Sequence, residues 1–214
     1  QDRVANRQHD KRLENIVNRM FERCFSHHNI KQALGIGIEA RREDVVERCI
    51  TDATDPKEML AYLFDVATTL VVNRSWRNQL YEIVARHSQM VTPQQYYLAT
   101  QCYMYLNDAA PVATLLAQLM AQGQVALAEQ IAFSLYDTAT QEFTTAISNM
   151  LKSMVEANAE PVCEGDACTL PSEDDIANAK VSKTLREIMQ GSTSLPLYVQ
   201  FLSRNNHTDM LIIN

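Results

Sequence analysis

Apolar residues recur along this chain at three- and four-residue intervals, the period that lines one face of an α-helix. Leu13, Ile16, Val17, Met20, Phe21 and Cys24 form the first such stripe. It predicts a helix over 10–26 with Asp10 as its N-cap. Helices are predicted next over 30–40 and 43–52. Asp55-Pro56 places a capping side chain before a proline at the first helical position. The helix it opens carries Met59, Leu60, Leu63, Phe64, Ala67 and Leu70 and runs to about residue 73. Ser75 reads as the cap of a helix containing Trp76, Leu80, Ile83 and Val84. Thr92-Pro93 repeats the cap-and-proline start, for a helix ending near Leu106. Asp108 begins a helix that Gly123 ends, and further helices cover 125–136 and a stretch from Thr138 or Thr140 past Met154.

The pattern stops over 159–179, AEPVCEGDACTLPSEDDIANA, which is acidic, rich in helix breakers and poor in large apolar groups. Such a segment buries too little surface to offset its ordering entropy, and a mobile loop is expected. Helical periodicity returns over 180–189 and 195–204 and starts again at Thr208. Within SRNNHTD, Asn205 or Asn206 suits the left-handed stop of one helix and Thr208 the cap of the next.

Roughly a dozen helices of about 10–18 residues joined by short turns force antiparallel neighbours. The pairs recur at roughly 35 residues, the range of helix-turn-helix repeats. The expected architecture is all-α: an α-solenoid of stacked antiparallel helix pairs, each burying its apolar face on the next. In this reading 1–158 is a helical-repeat rod, 159–179 an acidic mobile loop and 180–214 a continuation of the rod.

Composition narrows the functions open to such a chain. Only 5 glycines and 6 prolines interrupt 214 residues, which favours long helices. The net charge of -7 argues against nucleic acid as a partner, since phosphate binding needs clustered Lys and Arg. No apolar run reaches the roughly 20 residues that span a bilayer. The first residues, QDRVANRQHDKR, lack the apolar core of a signal peptide. A cytoplasmic and nuclear location is expected, with Cys24, Cys49 and Cys102 as reduced thiols among helical neighbours.

Candidate chemistry is sparse. Cys163 and Cys168 in CEGDAC, with Glu164 and Asp166, have the residue types of a metal site but not its spacing, and no second pair lies nearby. Adjacent His27 and His28 diverge by about 100° on a helix and suit a helix end better than one ion. Gly35 and Gly37 in LGIGIEA lack the strand and third glycine of a dinucleotide fingerprint and read as close helix approach. No nucleophile elbow or ordered nucleophile–histidine set appears. No catalytic, cofactor-binding or metal-binding residue is assigned, and neither a cofactor nor a small-molecule substrate is expected.

The remaining candidates are surface groups. Trp76, Tyr81, Tyr96, Tyr97, Tyr103 and Tyr105 belong mainly to the core, but Tyr and Trp also dominate interface hot spots. Arg41-Arg42, followed by Glu43-Asp44, sits at a helix–helix turn and can pair locally or meet a partner. Arg41, Arg42, Trp76, Tyr96 and Tyr97 are taken as the candidate partner surface.

Several segments carry a family resemblance: RLENIVNRMFERC, KQALGIGIEARREDVVER, MLAYLFD, SLYDTATQEF and QFLSRNNHTDMLI. In order and spacing they resemble the N-terminal helical rod of the 26S proteasome non-ATPase regulatory subunit 1 family, the large toroid-bearing scaffold subunits of the regulatory particle. The resemblance runs from about Lys11 to Ile213 and implies a non-catalytic scaffold contacting lid and base subunits in ubiquitin-dependent degradation. It also implies that the chain begins after the family's first helices and stops before its toroid-forming repeats and its C-terminal tail. The rival reading is a tetratricopeptide-like adaptor holding a peptide in a groove lined by Asn, Arg and Tyr.

Overall fold

The computed structural model describes residues 11–91, 94–159, 163–164, 167–168 and 173–204, with side chains placed over 14–91, 94–155 and 176–200. Among these residues eleven α-helices form: α1 (Lys11–Ser26), α2 (Ile30–Ala40), α3 (Glu43–Thr51), α4 (Pro56–Thr69), α5 (Arg74–Met90), α6 (Tyr96–Leu106), α7 (Ala109–Ala121), α8 (Val125–Thr138), α9 (Gln141–Ala159), α10 (Glu173–Met189) and α11 (Ser194–Arg204). The expected all-α helical-repeat class is the one that forms.

Five of the turns share one chemistry. His28, Arg41, Asn107, Gly123 and Gly191 all adopt positive φ just past a helix end. In each case the next residue's N–H returns to a carbonyl in the last helical turn. The bonds are Asn29 N to Cys24 O (2.8 Å), Arg42 N to Gly37 O (2.9 Å), Asp108 N to Tyr103 O (3.0 Å), Gln124 N to Leu119 O (2.9 Å) and Ser192 N to Glu187 O (2.9 Å). This closure satisfies carbonyls that would otherwise be orphaned and turns the chain sharply. His28 thus ends α1 with its backbone, in keeping with a role for the histidine pair at a helix end.

Side chains cap the starts of α4, α5 and α7. Asp55 accepts from Lys57 and Glu58 N, with Pro56 opening α4. Asp108 accepts from Ala110 N at the start of α7. At α5 the cap is Asn73, whose side chain accepts from Trp76 N at 2.9 Å, so the helix begins before the expected Ser75. Helix α10 begins at Glu173, inside the segment read as a loop, and its acidic first residues suit the positive end of the helix dipole. Nearby, Cys163–Glu164 (β1) and Ala167–Cys168 (β2) pair antiparallel. The expected Asp10 cap, the Thr92-Pro93 start and the helix from Thr208 lie outside the described residues.

Two compact units divide the chain, 1–102 and 103–214. In the first, α2 packs on α3, α4 on α5 and α1 on α2. Its core contains Leu34, Val46, Ile50, Leu60, Leu63, Leu80 and Val84, all at most 2% exposed. Gly37 lets α2 and α3 close up: a Cβ there would stand 3.2 Å from Val45 Cγ1. In the second unit α7 lies along α9, and α10 packs on both α8 and α9. Alternate helices therefore contact each other, as stacked helix pairs require. Val112, Leu116, Leu119, Ile131, Ile147, Leu151 and Leu185 fill that core.

Candidate partner surface

The five candidate residues do not form one patch. Arg42 is engaged at the start of α3. Its guanidinium holds Asp44 through two bonds of 2.8 and 2.6 Å, reaches Asn18 Oδ1 at 3.2 Å and lies 6.0 Å from the Phe21 ring centroid. The Asp44 carboxyl is held below its ordinary range chiefly by that bond. One turn on, Arg48 stacks 4.0 Å over Phe25 and bonds Glu22 at 2.8 Å. Together these arginines fasten α1 to α3, and the local-pairing reading describes Arg42.

Arg41 is the opposite case. It is exposed and adopts φ 54° as the left-handed residue closing α2. No hydrogen bond or ion pair engages its side chain among the described residues. Trp76 is buried, and its indole N–H donates to the Ile38 main-chain oxygen at 3.0 Å. Arg41 and Trp76 nevertheless line the same groove, of about 390 Å³, with Gly35, Ile38, Glu39, Tyr62, Val66, Leu70, Val71, Val72 and Asn73. Trp76 forms its floor and Arg41 its rim. Tyr96 is buried in α6 and donates its hydroxyl to Gln94 Oε1, whereas Tyr97 is exposed and accepts from Gln101 Nε2 at 3.2 Å.

Periodicity missed the rim itself. Leu70 and Val72 stand 71% and 92% exposed at the end of α4 and in the turn that follows. By periodicity Leu70 belongs to the apolar stripe of α4, but it falls at the C-cap, beyond the packed turns. The detectable signal was Leu70-Val71-Val72 itself, three aliphatic residues where a turn ordinarily carries Gly, Asn, Asp or Ser.

Elsewhere two thiols, Cys49 and Cys102, are buried. Burial pushes Cys49 up to about 12 and raises Cys102 as well, so neither offers a thiolate near neutrality. Cys24, Cys49 and Cys102 are unbridged. Among the described residues no cluster of His, Cys, Asp and Glu could hold a metal ion, and no helix is long and apolar enough to cross a membrane. The side chains of Cys163 and Cys168 lie outside those described.

Fold and surface define a class: a helical-repeat protein of stacked helix pairs whose distinguishing features are grooves between helices. Within that class, residues 1–206 match the family described as 26S proteasome subunit RPN2, N-terminal domain, and the chain belongs to that family. It is 32% identical over 95% of its length to the 26S proteasome non-ATPase regulatory subunit 1 of Drosophila melanogaster. It is 32% identical over 94% to that of Dictyostelium discoideum. It is 31% identical over 96% to the 26S proteasome regulatory subunit rpn2 of Schizosaccharomyces pombe. The chain spans 24%, 22% and 21% of these relatives' own lengths.

Proposed function

We propose that this chain is a non-catalytic scaffold segment of the 26S proteasome regulatory particle, supporting lid–base assembly through protein–protein contacts. The observation carrying the reading is the family match over 1–206, with relatives named as regulatory subunits. A stack of helix pairs suits the role, because it offers long surfaces at little cost in core complexity. Its partners are other lid and base subunits, and its location is the cytoplasm and nucleus, where three unbridged cysteines are at home.

The test deletes residues 1–206 from the full-length subunit and follows lid subunits co-purifying with the base. Loss of lid association at unchanged subunit abundance is expected. Undiminished association would overturn the scaffold role of this segment. The rival reading, a peptide-binding adaptor, is favoured by one observation: the groove at Trp76 carries Asn73, Arg41 and Tyr62.

A further inference from the structure

We propose that Cys163 and Cys168 form a reversible dithiol–disulfide site that closes the connection between α9 and α10 by exchange with a small-molecule disulfide.

The first observation is the backbone register. In the antiparallel pair of β1 and β2, Cys163 is the partner of Cys168 and Glu164 that of Ala167. Directly opposed residues of such a pair share one face, with Cα atoms about 4.5–5.5 Å apart. A disulfide spans Cα separations of about 4.4–6.8 Å. The register therefore holds the two cysteines at the separation a bridge needs.

The second observation is the turn sequence, which points to the same register independently. Gly165 and Asp166 are the only residues between Glu164 and Ala167. A two-residue connection opened by glycine is among the favoured hairpin turns, and its length sets which residues face each other. A slip of one residue would take the cysteines out of opposition.

The remaining cysteines lack this arrangement. Cys24, Cys49 and Cys102 lie on α1, α3 and α6, and the last two are fully buried. A structural zinc site is a poorer fit to the opposed pair. It draws four ligands from Cys and His, and 153–180 contains no other residue of either type.

The place in the fold gives the bridge a consequence. Residues 160–172 link α9 to α10, and α10 packs along α9. Both ends of the link are held by helix packing, and a bridge from 163 to 168 removes conformations from the chain between them. Oxidation thus stiffens the α9–α10 connection.

The exchange runs in two displacements. One cysteine thiolate attacks the small disulfide, forming a mixed disulfide and releasing one thiolate. The other cysteine thiolate attacks the protein sulfur of that mixed disulfide, forming the bridge and releasing the second thiolate. The two cysteine sulfurs give up two electrons, and their two protons pass to the two released thiolates. No Lys, Arg or His lies in 153–179 to favour a cysteine thiolate, so exchange is slow and the site follows the standing redox poise.

One tryptic peptide, 153–180, carries both cysteines and no other, because Lys152 and Lys180 are its cleavage points. The folded full chain is equilibrated over a series of reduced to oxidised glutathione ratios, quenched with acid, alkylated and digested. The peptide is expected to pass from doubly alkylated to internally bridged, two hydrogens lighter than its dithiol, in one transition. Bridged peptide should outnumber mixed glutathione disulfides by about tenfold or more. Unfolding in guanidinium at the same poise is expected to lower the ratio of bridged to open peptide by about tenfold, because the register is lost. Moving one thiol out of opposition, with Ala167→Cys in a Cys168→Ala background, should lower it similarly; should that variant disturb the hairpin, the guanidinium comparison decides. A peptide doubly alkylated at every poise, mixed disulfides in excess, or equal bridging in folded and unfolded chains overturns the proposal. So does a bridge to Cys24, Cys49 or Cys102, or stoichiometric zinc that blocks oxidation of the pair.

Discussion

Trp76 and Ile38 tie α5 to the end of α2: the indole N–H donates to the Ile38 main-chain oxygen at 3.0 Å, and the same oxygen accepts from Arg41 N at 3.2 Å. The shared acceptor predicts a graded response to substitution. Trp76→Phe removes one donor but leaves Ile38 O bonded, so no buried carbonyl is orphaned. Its expected cost is about 1–2 kcal/mol. Trp76→Ala also empties the groove floor and is expected to cost about 3–5 kcal/mol. Urea midpoints followed by far-UV circular dichroism separate the two; equal costs would show that the hydrogen bond, and not ring packing, dominates.

Gly35 and Gly37 should answer a single added methyl group with opposite signs. At Gly35 the methyl meets open space and the helix gains its ordinary alanine preference. Gly35→Ala is therefore expected to stabilise by about 0.5–1 kcal/mol. At Gly37 it would stand 3.2 Å from Val45 Cγ1 and 3.6 Å from Val46 Cγ2, so α2 and α3 must part slightly. Gly37→Ala is expected to destabilise by about 1–3 kcal/mol. Thermal midpoints of the two single variants check both signs.

These contrasts show what was legible in the sequence. Most of the helices were, because their apolar residues keep the helical period and Asp55, Asp108 and Gly123 mark ends in their usual places, whereas the acidic start of α10 at Glu173 has no apolar stripe to mark it. The left-handed turns at His28, Arg41 and Asn107 are not legible in the residue type, since positive φ there is set by the 6→1 backbone closure and not by a glycine. The division at 102/103 falls inside α6, where continuous helical periodicity conceals it. Of the candidate surface, Arg41 was legible as an arginine at a turn, and Trp76 as a large aromatic. That the two share a groove depends on how α2, α4 and α5 pack, which single-helix periodicity does not encode.

His87 predicts an acid-side loss of stability. Burial lowers its imidazole below the ordinary 6.5, against the opposing pull of Glu47 and with a smaller push from Arg86. The Glu47 carboxylate stands 4.0 Å away across the α3–α5 contact, and Arg86 also pairs with it. A lowered value means the unfolded chain takes up the proton first as pH falls. The contribution is therefore fully present above about pH 6.5 and is lost as pH drops from there through the lower folded value. His87→Gln, which cannot titrate, is expected to flatten the pH dependence of the thermal midpoint in that window and to leave it unchanged at about pH 8. An identical slope in both proteins would remove His87 as its source.

Gly191 carries two separable demands, and a pair of substitutions can divide them. Its φ of +75° is the left-handed turn that ends α10, a conformation costing an L-residue about 1–2 kcal/mol. An added Cβ would also stand 2.8 Å from Tyr136 Cε2 and 3.0 Å from its hydroxyl, so the α8 ring must move. Gly191→Ala is expected to cost about 2–4 kcal/mol, the sum of both demands. In a Tyr136→Leu background the ring is gone and only the conformational share should remain, about 1–2 kcal/mol. Gly123 is the internal control: φ is +70°, yet a Cβ there meets nothing within 4 Å. Gly123→Ala should therefore match the double-variant increment and not the single one. A Gly123→Ala cost equal to that of Gly191→Ala would mean that the backbone conformation alone fixes glycine at these turns and that Tyr136 yields without resistance.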